Sequence, residues 1–120
     1  MLVEDEGAVR AFIKTVLQRF GYRVIEAESA EAALTLLGSL TRPIDLLLTD
    51  VVLPGMDGRE LAVRVTRDRP HVRVLYMSGY TGRLRTATGF IEPGVQLLEK
   101  PFTAQALLTR TRQILGHNLP

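Results

Sequence analysis

Cysteine is absent from the 120 residues, which excludes disulfides and thiolate metal sites. No apolar stretch is long enough to cross a bilayer, and no signal-peptide pattern opens the chain. No run of Lys or Arg stands out. Net charge is only +2, and neither a basic stripe nor a reading helix for nucleic acid is visible. His71 and His117 stand without metal-ligand spacing. Repeats, low-complexity tracts and linkers are missing as well. The length suits one domain with a modest core and is too short for two. Together these absences suit a cytoplasmic domain that contacts neither membrane nor nucleic acid directly. They leave a longer parent polypeptide free to carry a membrane anchor.

What is present is alternation. Val9, Phe12, Ile13, Val16, Leu17 and Phe20 fall at helical spacing and predict an amphipathic helix that Gly21 ends. Residues 22–25 read as a strand. Ser29 is placed to cap a second helix with Ala33, Leu36, Leu37 and Leu40 inward. After Arg42-Pro43, residues 44–49 form an apolar strand. Asp57 caps a third helix, with Glu60 at the capping-box distance and Leu61, Ala62 and Val65 inward. Pro70 closes it, and 72–77 is a fourth strand. Residues 81–94, rich in Gly and Pro, predict only a short or frayed helix, and 95–98 a fifth strand. Thr103 caps a last helix carrying Ala104, Leu107, Leu108, Ile114 and Leu115, which Gly116 ends.

Strands and helices thus alternate five times across 1–120 as a single domain. That predicts an α/β fold, a doubly wound parallel sheet with helices on both faces. The flavodoxin-like (βα)5 order 2-1-3-4-5 is the natural topology at this length. The first strand is short, with only Leu2 and Val3 between Met1 and an acidic pair. It reads as truncated, and the domain as cut at its edge from a longer polypeptide.

In such a sheet the strand ends Glu4-Asp5, Asp50, Ser78 and Lys100 share one edge, where open α/β folds place ligands. Converging carboxylates repel one another, so the cluster implies a cation or a raised pKa. Mg²⁺ takes carboxylate and water oxygens and shares them with phosphate. A carboxylate can itself accept a phosphoryl group, while Lys100 and the Ser78 hydroxyl are suited to its oxygens. Each of these residues alone has a plainer reading as a turn, cap or solvated side chain. It is the combination that points to chemistry.

Val3-Glu4-Asp5-Glu6, the run from Leu48 to Gly58, Met77-Ser78-Gly79-Tyr80 and Glu99-Lys100-Pro101-Phe102 together resemble the response-regulator receiver domain of two-component signalling. The wording around Ser78 and Lys100 is most similar to C-terminal receivers of hybrid sensor histidine kinases. The resemblance implies that Asp50 is the phosphoacceptor. It makes Asp5 the direct Mg²⁺ ligand, Glu4 a ligand through water, and Asp50 and the Val52 backbone carbonyl further ligands. It gives Ser78 and Lys100 to the phosphoryl group, with a cis bond between Lys100 and Pro101. It implies a sensor histidine kinase or a histidine phosphotransfer domain as donor, auto-dephosphorylation, and an output through protein contacts that leaves a homodimer open. The family's switch aromatic falls here on Leu97, so an aromatic cannot turn at that site, and Tyr80 is the neighbouring switch candidate. A haloacid dehalogenase-type phosphatase needs a second Asp where Val52 stands. Flavodoxin-like FMN binding needs a phosphate loop where Glu4-Asp5 stand. A pseudo-receiver, an unphosphorylated interaction module, is the remaining alternative.

Overall fold

The computed structural model describes residues 1–79 and 96–116. Its strands are β1 (Leu2–Val3), β2 (Glu26–Ala27), β3 (Leu46–Asp50), β4 (Arg73–Ser78) and β5 (Leu97–Glu99). The helices among the described residues are α1 (Gly7–Arg19), α2 (Ala30–Ser39), α3 (Gly58–Asp68) and α4 (Ala104–Leu115). All strand pairs are parallel, in the order β2-β1-β3-β4-β5. This is the flavodoxin-like α/β fold expected from the alternation. The expectations for Tyr80, residues 81–94, Val95 and His117 lie outside the described residues.

Side chains on a strand alternate between faces, so one sheet serves two cores. Val3 and Leu47 turn to the α2 and α3 side, where they meet Ala33, Leu37, Leu61 and Val65. Leu2, Leu48, Leu75 and Met77 turn to the α1 and α4 side and meet Ile13, Leu17, Leu107 and Ile114. Strands buried on both faces read as continuous apolar runs, which is why β3 has no polar alternation.

The helix ends follow side-chain chemistry. Ser29, Asp57 and Thr103 each accept the backbone N–H three residues on, at 3.0, 2.9 and 3.0 Å. α1 stops where Gly21 adopts φ 93°, and the Tyr22 N–H reaches back to the Leu17 carbonyl at 3.0 Å.

Two expectations need correction. The second strand is Glu26–Ala27 rather than 22–25. β1 has only two residues to pair, and they lie level with Glu26 and Ala27, so the ladder begins there. Beside residues 22–25 lies a cavity of about 390 Å³, lined also by Ile44, Leu46, Leu48 and Thr111. Phe12 and Phe20 do not face inward; they are 42% and 60% exposed. Phe12 lies at the edge of the α1 stripe and packs on Phe102, ring centres 6.5 Å apart.

Candidate functional site

Register builds the site. Val3 lies level with Thr49, which puts Glu4 beside Asp50. Asp50 is level with Met77, and Met77 with Leu98, so Ser78 and Lys100 lie just beyond on the same edge. Parallel strands thus bring together residues up to 96 positions apart. Their exposed ladder ends continue into loops, which are free to carry polar groups.

Lys100 is the hub. Its Nζ lies 2.7 Å from Glu4 Oε1 and 2.7 Å from Asp50 Oδ1. Glu4 is fully buried and Asp50 nearly so, while Lys100 keeps some contact with solvent. The second Glu4 oxygen accepts the Glu6 N–H at 3.0 Å. Asp5 is exposed, yet carboxylate oxygens of Glu4, Asp5 and Asp50 all lie within 4.8 Å of one another. Two oxygens on opposite sides of Mg²⁺ would stand about 4.2 Å apart, given bonds near 2.1 Å. The trio is therefore hard in donor type and close to the right size for that ion.

Electrostatics divide the carboxylates. Burial, aided by the neighbouring Glu4, pushes the Asp50 carboxyl up to about 7, against the pull of Lys100. Glu4 is also pressed upward by burial, but bonds from Asp50, Lys100 and the Glu6 N–H more than offset this and leave it lowered. The Glu6 N–H gives Glu4 a donor in addition to the Lys100 ammonium that the two carboxylates share, and it adds to the lowering of Glu4. Burial lowers Lys100, and its two carboxylate partners outweigh that, so it stays firmly charged.

Ser78 ends β4 and is buried; its carbonyl accepts the Lys100 N–H at 2.8 Å. The Lys100–Pro101 bond is cis. Val52 is 67% exposed, in the loop directly after Asp50. Leu97 opens β5 half-buried, and its carbonyl accepts Arg110 at 2.9 Å. Arg110 thereby ties α4 to β5. His71 is exposed but faces the Ile44 carbonyl at 3.1 Å.

Gly58 carries a demand of its own at the start of α3. A Cβ there would sit 1.8 Å from the Asp50 carbonyl oxygen and 3.2 Å from Thr49 Oγ1. Its N–H closes the loop onto the Val51 carbonyl at 2.8 Å. Only a residue without a side chain lets α3 start that close to the Asp50 backbone. The signal in the sequence was the glycine at the first position after a cap, but the approach that demands it is tertiary. Arg10 and Glu31 were also not singled out. Arg10 donates to the Glu4 carbonyl at 2.8 Å, and Glu31 accepts the Met56 N–H in the loop after Asp50 at 3.1 Å.

A family model described as the response regulator receiver domain matches residues 1–112. The sensor kinase CckA of Brucella abortus is 34% identical over 115 residues, covering 96% of this chain and 12% of that protein. The response regulator receiver protein CpdR of the same organism is 30% identical over 115 residues, 96% of this chain and 94% of that protein. The crystal structure of the NtrX receiver domain from Brucella abortus superposes with a TM-score of 0.82 at 29% identity, covering 96% of each chain. The chain is thus similar both to a small part of a long kinase and to nearly the whole of a short regulator.

Proposed function

Because this chain belongs to the response-regulator receiver family, we propose that Asp50 is its phosphoacceptor and that Glu4, Asp5 and the Val52 carbonyl hold Mg²⁺ beside it. Receivers of this family work with histidine kinases or phosphotransfer partners. The observation that carries the reading is the contact of one ammonium, Lys100, with both Asp50 and Glu4 at 2.7 Å, with Asp5 alongside.

An Asp50 oxygen attacks the phosphorus of a phosphohistidine, the P–N bond breaks, and the imidazole nitrogen keeps the electron pair and takes a proton. Asp50 is the attacking group only when ionised, and a cation beside it favours that form against the burial that raises its pKa. Mg²⁺, when bound, supplies positive charge to the carboxylates and to the phosphoryl oxygens. Lys100 follows the new charge, exchanging a carboxylate oxygen for a phosphoryl oxygen. The Ser78 hydroxyl donates to another of those oxygens. Water attack on the same phosphorus later breaks the O–P bond and restores Asp50, an auto-dephosphorylation within the signalling cycle. Val52 carries no acid or base, which sets the domain apart from a turnover phosphatase.

The rim beside Lys100 offers the donor a way to the site. That rim is an apolar groove of about 550 Å³ lined by Ala8, Val9, Phe12, Pro101 and Phe102. An exposed Phe12 next to a charged site suits a helix presenting a phosphohistidine.

Beryllofluoride, a stable phosphoryl mimic, tests the pocket. In Mg²⁺, amide shifts on adding it are expected to centre on Asp5, Asp50, Ser78 and Lys100. Shifts centred elsewhere, or none, contradict the assignment.

A further inference from the structure

Glu4 is held on all sides. Its N–H donates to the Ala27 carbonyl of β2 at 3.1 Å, and its carboxylate takes Lys100 and the Glu6 N–H. Its own carbonyl is taken by Arg10 Nη1 at 2.8 Å. Arg10 is in turn locked: its Nε donates to Glu26 Oε1 at 3.1 Å, and Lys14 pairs with the other oxygen of Glu26. Glu26 is the first residue of β2, and its carboxyl is lowered chiefly by Lys14, against burial, with Arg10 adding to the lowering. The guanidinium thus spans from β2 to the peptide that joins Glu4 to Asp5. Asp5 itself is exposed, so that peptide is the lever that aims its carboxylate at Asp50.

We propose that Arg10, anchored by Glu26, is a positioning residue for the acidic pocket: it fixes the Glu4–Asp5 peptide and so sets affinity for the divalent cation. The inference rests on the Mg²⁺ reading of the pocket. A fork with two donors at fixed separation can bridge a carbonyl and a carboxylate, and an ammonium cannot do so in the same geometry. Arg10→Lys therefore keeps the charge and removes the bridge. Residues that orient metal ligands typically cost about tenfold or more in affinity when altered.

The test is calorimetric Mg²⁺ titration of the full chain and its variants, with amide exchange of the Mg²⁺-free proteins. Arg10→Lys is expected to weaken Mg²⁺ binding about tenfold and to speed exchange at Glu6, whose N–H depends on the placement of Glu4. Phosphorylation by acetyl phosphate is expected to need about tenfold more Mg²⁺ to reach half its maximal rate. Glu26→Gln, which weakens the anchor and leaves Arg10 in place, shifts both readouts the same way by less. It carries the test if Arg10→Lys does not fold. Wild-type affinity and exchange in the folded variants overturn the role of Arg10. Failure of the unaltered protein to bind Mg²⁺ overturns instead the reading of the pocket on which it rests.

Discussion

Asp50 and Glu4 sit side by side with one ammonium between them, and the pair holds a proton that the unfolded chain releases. The Asp50 carboxyl rises from 3.8 to about 7, because burial and Glu4 disfavour its ionised form. Between those values the native state binds more protons than the unfolded one, so stability falls as pH rises through the window and is level above it. Asparagine mimics the protonated form at every pH. Without metal, Asp50→Asn is expected to be more stable than the parent at pH 8 by on the order of 4 kcal/mol, a gain that disappears towards pH 4. Urea unfolding at the two pH values with a chelator present measures it. An equal or lower midpoint for the variant at pH 8 contradicts the raised pKa. Adding Mg²⁺ should shrink the gain, since the parent then gains ligand binding that the variant has weakened.

At the scale of elements, the junction between β3 and α3 carries the tightest demand. Gly58→Ala drives a methyl into the Asp50 carbonyl, and backbone rather than a flexible side chain has to yield. Overpacking of that kind costs about 1–3 kcal/mol and shifts the backbone locally. The expected result is a lower urea midpoint together with slower phosphorylation of the protein that remains folded. A variant with unchanged midpoint and rate would show that the junction has slack. This demand marks where local reading stops. The caps Ser29, Asp57 and Thr103 were legible because each depends on its own residue and the N–H three places on. Asp50, Ser78 and Lys100 were legible because turn residues mark the ends of apolar strands. The start of β2 was not, because the two residues of β1 decide which part of 22–27 is paired. Phe12 was misread as core because spacing gives a stripe but not its edges. Gly58 and Arg10 depend on which elements cross, and no local pattern reports that.

For the molecule as a whole, the parallel sheet is the device that makes chemistry from separated residues. Its two cores fix the strands from both faces, and the carboxyl edge is left to gather charge. The relatives show the same domain used in different settings, within the sensor kinase CckA and as the response regulator receiver protein CpdR. The transfer proposed for Asp50 does not depend on which of these settings applies. No helix among the described residues is long and apolar enough to cross a membrane. The central claim is therefore about one atom's fate and is tested most directly by intact mass after incubation with Mg²⁺ and acetyl phosphate. The account predicts a gain of one phosphoryl group, dependent on Mg²⁺ and lost in Asp50→Asn. No gain, or an equal gain in Asp50→Asn, would contradict it.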